Sequence, residues 1–352
     1  MTRHIVAIGP LPPPLHGLSL ATSAMAALLA DGNTVILQNL SPPASGWRLW
    51  RHPAKCASVI SACIRLLRER RHPEKACYLA CDGGFGQFYT LLLVISSRLL
   101  AYPTYLHHHS FRYIDRRSIV MRSILALSGP GLTHIFLCEI MRDRFTDAYR
   151  RRLRSAVISN AALVPPQAET EVDRARPLTI GMLSNLSRAK GLETFITLFR
   201  QARAQGLPLH AILAGPAADG RDRATIDAAI REFAGALEYR GAVLGDDKAN
   251  VYADIDVFIF PTIYVNEAQP LVIFETKASG NAVIAYDRGC IRRQLDETDL
   301  LVPATGEFVE MAIAWLSEIP PDDPRGQRRR RVRLEYEFRH AKARERVKSL
   351  MP

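Results

Sequence analysis

The 352 residues contain no uninterrupted apolar run of about 18 residues, the length a membrane-spanning helix needs. Met1 leads into the strand-like HIVAIG with no basic leader and no long apolar segment behind it, so the chain is expected to be cytoplasmic. The six cysteines (Cys56, Cys63, Cys77, Cys81, Cys138, Cys290) form no CxxC pair and have no regularly spaced histidine partner. That spacing argues against a zinc site or a disulfide frame and for buried free thiols in a reducing compartment. No short repeat and no low-complexity tract occurs. Aromatic residues make up 8% of the chain, and its arginines are not interleaved with a stacking aromatic array, which counts against nucleic-acid binding.

Charge is plentiful but uneven. Residues 1–165 hold 20 Lys+Arg and 8 Asp+Glu, residues 166–324 hold 15 and 24, and residues 325–352 hold 11 and 3. The first half and the tail are therefore basic and the middle is acidic. Such asymmetry points to an anionic partner for one domain, and an anionic membrane is one candidate.

Short β-rich runs alternate with helical patterns. HIVAIG, NTVILQNL, KACYLACD, PTYLHHHS, THIFLC and AVISN make a first series; LTIGMLS, LHAILAG, LEYRGAV, DVFIFPT and NAVIAYD make a second. Alternation implies parallel sheets with crossover helices, and the restart implies a second such unit. The expected fold class is α/β, with two Rossmann-like domains facing a central cleft. Residues 1–165 form the first domain and residues 166–324 the second, with a linker near 164–176. Residues 325–352 form a basic C-terminal helix that packs back on the first domain. Ligands in such folds gather at the carboxyl ends of the strands. The unusual stretches fall there: GPLPPPLHGLS, HHHSFRY, SNLSRAKG, AGPAADG and NEAQPLVIFE.

The last of these, residues 266–275, places Glu267 and Glu275 eight positions apart around Gln269 and Pro270. Pro270 suits a first helical turn, and a helix from about Pro270 to Ser279, closed by Gly280, would aim free N–H groups and the positive end of its dipole at an anion. Both carboxylates could then reach one elongated ligand and accept hydrogen bonds from sugar hydroxyls. The plainer alternative is a solvated Glu267, with Glu275 paired to Lys277 or a nearby arginine.

The stretch DVFIFPTIYVNEAQPLVIFETKASGNAVIAYDRGCI closely resembles the signature of retaining glycosyltransferases of family 4, with their two-Rossmann GT-B architecture and paired glutamates separated by seven residues. The resemblance implies that Glu267 contacts the donor sugar, that Glu275 bonds the nucleotide ribose, and that the backbone of Gln269, Pro270, Leu271 and Val272 lines the sugar and phosphate pocket. LSNLSRAKGLETFI resembles the family's diphosphate-gripping loop. Lys190 matches its lysine, while Asn185 stands where an arginine is usual. Arg188 lies nearby, either as its replacement or simply solvated. PLPPPLHGLS resembles the family's glycine loop, with Gly17 on its second glycine and His16 in place of the first; a plain connector is the alternative. In YLHHHSFRY, neighbouring strand residues point to opposite faces and cannot all bind one metal ion. The resemblance favours His109 beside the donor sugar, with His107 in reserve on the same face and His108 packed or solvated.

These residues imply a retaining glycosyltransferase with no metal and no cofactor. It would take a UDP- or GDP-sugar as donor and a lipid-diphosphate-linked saccharide as acceptor, working on the inner face of the membrane, with Glu267, His109 and Lys190 as catalytic residues. A sugar-nucleotide epimerase of the same fold and a non-catalytic nucleotide-sugar binder are the rival readings. Between Trp47 and Arg71, WRLWRHPAKCASVISACIRLLRERR reads as an amphipathic helix flanked by arginines. It is either packed on the first sheet or docked on an anionic leaflet.

Overall fold

The computed structural model describes residues 2–41, 51–81, 83–168, 176–319 and 325–350. The chain divides into two compact units, Met1–Leu163 with Lys342–Pro352, and Val164–Ala341.

The first unit contains β1 (His4–Gly9), α1 (Gly17–Leu29), β2 (Thr34–Asn39), α2 (Arg51–Glu69), β3 (Lys75–Cys81), α3 (Gly86–Leu99), β4 (Thr104–His108), α4 (Arg112–Asp115), α5 (Ile119–Leu127), β5 (Leu132–Phe136), α6 (Glu139–Tyr149) and β6 (Ser155–Val157). Its six strands lie in the order β2-β1-β3-β4-β5-β6, and every pairing is parallel. The central strands are continuous apolar runs because helices cover both faces of a parallel sheet. β4 keeps that burial although it ends in histidines: Thr104 to His108 are all buried. His108 stacks on Phe136 at 4.7 Å and on His134 at 5.2 Å, so it is packed rather than solvated.

The second unit contains β7 (Leu178–Leu183), α7 (Leu192–Ala204), β8 (Leu209–Ala214), α8 (Gly220–Glu232), β9 (Leu237–Tyr239), α9 (Gly245–Asp254), β10 (Val257–Phe260), α10 (Leu271–Ala278), β11 (Ala282–Tyr286), β12 (Leu300–Val302), α11 (Phe308–Ser317) and most of α12 (Arg325–Leu350). Its sheet, β12-β11-β10-β7-β8-β9, is also parallel throughout. Strand β12 has no counterpart among the expected strands; it is three residues long and follows the acidic turn DETD.

The residues of α12 up to Ala341 group with the second unit, where Tyr336 Oη donates to the Val164 carbonyl at 2.6 Å. Those from Lys342 group with the first, where Arg346 Nη1 donates to the Val157 carbonyl at 3.4 Å. Of the cysteines, Cys56, Cys63, Cys77 and Cys81 are free thiols, and only the last two are buried. Cys138 and Cys290 are not free thiols, against expectation. Trp47 and the residues up to Trp50 lie outside the described residues.

Candidate functional site

Two loops at the carboxyl ends of β7 and β10 bring the first pair of candidate residues together. After β7 the chain makes one tight turn, Arg188–Lys190, capped by Ser187, whose Oγ accepts from the Lys190 N–H at 3.2 Å. Gly191 follows with φ of +93°, and a Cβ there would lie 2.3 Å from the Pro261 carbonyl oxygen, so only glycine lets this loop meet the end of β10. The Ile263 N–H donates to the Ala189 carbonyl at 3.0 Å and joins the two loops.

Across that seam Lys190 Nζ lies 2.5 Å from Glu267 Oε2, and Thr262 Oγ1 donates to the same oxygen at 3.1 Å. The ammonium also sits over the Tyr264 ring at 4.9 Å. Glu267 is 9% exposed, so its charge is stabilised by these contacts rather than by bulk water. The turn carrying it is pinned from below. Gly289, at φ of +54°, passes so close that a Cβ would lie 2.3 Å from the Glu267 carbonyl oxygen. The Cys290 N–H donates to the Ala268 carbonyl at 2.7 Å, and Gln294 Nε2 to the Pro270 carbonyl at 2.9 Å.

Helix α10 begins at Leu271, one residue later than expected, because Pro270 adopts the extended cap conformation (φ −62°, ψ 129°). Pro270 makes no side-chain cap hydrogen bond, and among the described residues no other side chain is seen to cap this end. The first-turn N–H groups of Leu271, Val272 and Ile273 therefore have no capping side chain, at the carboxyl end of β10, where a helix dipole favours an anion. Gln269 and Pro270, just before them, are buried.

Glu275 does not pair with Lys277, the plainer alternative. Its Oε1 takes Lys248 Nζ at 2.6 Å and its Oε2 accepts from Tyr252 Oη at 2.8 Å, both from α9. Burial, reinforced by the Glu275 charge, pushes the Tyr252 phenol well above its ordinary range, so it stays a donor. Lys277 instead pairs with Asp296 at 2.7 Å and the fully buried Asp299 at 2.8 Å, because α10 turns it away from Glu275. Thr262, Lys248 and Tyr252 were not foreseen from the sequence. Thr262 stands five residues before Glu267, whereas the i,i+4 spacing of Lys248 and Tyr252 on α9 carried no sign of their target.

Arg188 is exposed. Its guanidinium pairs with Glu193 at 3.4 Å, and Asn185 is exposed as well. Gly17 opens α1 behind His16, whose side chain accepts from the Ser19 N–H while Ser19 Oγ accepts from the His16 N–H. Nothing lies within 4 Å of the place where a Gly17 Cβ would stand. His109 belongs to the first unit. Its ring lies 4.1 Å from that of His107, its Nε2 is shut from solvent with no hydrogen-bond partner among the described residues, and burial lowers its pKa to about 4, so the ring is neutral at pH 7. Among the described residues no group of three or more His, Cys, Asp or Glu could hold a metal ion. A cavity of about 440 Å³ lined by Glu297, Trp315, Gln327 and Arg331 takes in none of the candidate residues.

No curated protein matches the sequence. Solved structures share its fold over almost its full length. Anabaena Alr3699/HepE in complex with UDP has a TM-score of 0.73 at 15% identity, covering 99% of both chains. Sucrose-phosphate synthase from Thermosynechococcus elongatus has a TM-score of 0.67 at 17% identity, covering 99% of this chain and 95% of its own. WaaG, a glycosyltransferase involved in lipopolysaccharide biosynthesis, has a TM-score of 0.59 at 13% identity, covering 99% of both. The two parallel six-stranded sheets are thus the two Rossmann-like halves of the GT-B fold. Residues 177–318, which hold Arg188, Lys190, Glu267 and Glu275, match the family model described as glycosyl transferases group 1.

Proposed function

We propose that the chain is a retaining, metal-independent glycosyltransferase that moves a sugar from a UDP- or GDP-sugar to an acceptor held by its first unit. The observation that carries this reading is the contact between Lys190 and Glu267 within the segment that matches the family model, close in sequence to the uncapped start of α10. A cation and a helix N-terminus suit a diphosphate, and a carboxylate beside them suits sugar hydroxyls. HepE, similar in fold, has been solved with UDP and with UDP-glucose, which favours a uridine donor.

In this scheme the bond between the anomeric carbon and the β-phosphate oxygen breaks, and the acceptor oxygen bonds to that carbon on the same face. The acceptor proton goes to the departing phosphate oxygen. Lys190 and the N–H groups of Leu271 and Val272 stabilise the charge that develops on the leaving diphosphate, the work a metal ion does elsewhere. Glu267 orients the sugar through its hydroxyls and Glu275 the ribose. Arg188, freed from Glu193, would add a second cation. The basic first unit suits a lipid-diphosphate-linked saccharide in polysaccharide assembly, with the protein peripheral on the inner membrane face.

Incubating the purified protein with a panel of sugar nucleotides and following free UDP or GDP tests this reading. Release with one donor, undiminished by EDTA, is the expected result. Strict dependence on added Mg²⁺ would contradict the metal-free step, and conversion of the donor to its epimer without release would replace transferase by epimerase.

A further inference from the structure

Helix α3 has two apolar faces, and only one is covered. Leu93 and Val94 are buried in the first unit, whereas Phe85, Phe88, Leu92 and Leu99 form an outward stripe at spacings of three, four and seven residues, with Phe85 and Leu99 each 79% exposed. A helix apolar on both sides is normally buried on both. On α2, which packs beside α3, Ile60, Ile64 and Leu67 also face outward; on α5, which packs against α3 as well, Ile119 is 80% exposed. Single exposed leucines are ordinary, but four large apolar side chains on one helix with apolar neighbours on adjacent helices mark an interaction surface.

The charges around it select the occupant. Helices α3 and α5 contain no acidic residue, and the one glutamate of α2, Glu69, is held by His4 at 3.0 Å and Arg65 at 3.4 Å. Arg68, Arg98, Arg116, Arg117 and Arg122 are exposed on or beside these helices. A second copy of the chain would bring this basic rim against itself. An anionic lipid surface complements both the rim and the apolar stripe.

We infer that the outer face of α2, α3 and α5 inserts shallowly into an anionic bilayer, with Phe85, Phe88 and Leu92 entering the acyl boundary and the arginines holding phosphate headgroups. This deepens the membrane-bound acceptor of the proposed function. It also changes what anchors the protein: the basic helix α2 alone would adsorb electrostatically, whereas the α3 stripe adds apolar burial that salt does not screen.

Vesicles of phosphatidylcholine and phosphatidylglycerol, mixed with the full chain at 20 and 500 mM NaCl, test the inference. At 500 mM the Debye length is about 4 Å, so adsorption by charge alone disappears, and a retained bound fraction is expected. The triple variant Phe85→Ser, Phe88→Ser, Leu92→Ser should lose vesicle affinity about tenfold or more while keeping the wild-type UDP affinity, since each apolar side chain entering the boundary carries a factor of that order. Complete release of the wild type by salt, wild-type vesicle binding by the triple variant, or a solution dimer that the triple variant dissociates would each overturn it. Should the triple variant unfold, Phe88→Trp with bromine-labelled lipid serves instead: quenching beyond that of the wild type is expected, and its absence overturns the inference. Vesicle binding by a protein that binds no sugar nucleotide would sink the proposed function and leave the docking face standing.

Discussion

Replacing Glu267 by glutamine is expected to lower turnover about 100-fold or more without weakening the affinity for UDP or GDP. Glutamine keeps the size of the side chain and an oxygen for Thr262, but it removes the charge that strengthens hydrogen bonds from sugar hydroxyls as the anomeric carbon becomes cationic. Losses of a preorganised group of this kind are commonly of order 100- to 1,000-fold. Nucleotide affinity holds for a structural reason. In the free protein Lys190 is engaged by Glu267 at 2.5 Å, so the diphosphate competes with a carboxylate for the same ammonium. Removing that competitor frees Lys190 for phosphate. Glu275→Gln should show the opposite pattern, with weaker nucleotide binding, because Lys248 and Tyr252 hold that carboxylate in place for the ribose. Steady-state kinetics beside calorimetric titration of the nucleotide separates the two; turnover unchanged in Glu267→Gln would remove the residue from the mechanism.

The second large effect is on stability below neutral pH. His108 Nδ1 lies 2.8 Å from Tyr113 Oη, and its Nε2 lies 2.8 Å from His134 Nδ1. The neutral chain is satisfied when Tyr113 donates to His108 and His108 donates to His134. Phe136 stacks on His108, Phe145 packs tilted against both rings, and no carboxylate pairs with either ring among the described residues. Burial lowers the pKa of His134 and of His109 from the ordinary 6.5 to about 4, and holds His107 and His108 well below 6.5. Between pH 6.5 and 4 the unfolded chain therefore binds protons that the folded chain refuses, and stability falls as pH falls. For His109 and His134 the loss is on the order of 3 kcal/mol each once the pH is below 4. The first unit should lose its melting temperature steeply between pH 6.5 and 5, above the range where carboxylates protonate. A melting temperature constant from pH 7 to 4.5 would contradict a neutral buried histidine cluster.

Among the described residues eleven of the twelve strands could be read from apolar runs, because a parallel sheet buried on both faces writes its central strands as continuous Val, Ile, Leu and Ala. β12 was hidden by its length of three residues. The contact between Lys190 and Glu267 joins residues 77 apart; the strand-end rule set their loops in one region, and the resemblance to a known pattern singled out the two side chains. The physical reason for their meeting, Gly191 against Pro261 and Gly289 under the Glu267 turn, is a matter of backbone clearance that no local pattern displays. The partners of Glu275 were hidden for a related reason. Lys277 is its sequence neighbour, but two residues along a helix point about 200° apart, which sends Lys277 to Asp299 and leaves Glu275 to α9. The stripe on α3 lies in GQFYTLLLVISSRL, whose one charge is Arg98, and its exposure follows only from the fold, in which none of the described residues covers its outer side.

Calorimetric titration of UDP and GDP into the wild type and into Lys190→Ala tests the central claim, that the loops after β7 and β10 form a nucleotide-diphosphate site. A charge-assisted contact to phosphate contributes about 1.5 to 3 kcal/mol, so the variant should bind one of the two nucleotides roughly 10- to 150-fold more weakly than the wild type. Equal affinity in the two proteins, or no binding of either nucleotide by the wild type, would contradict the account.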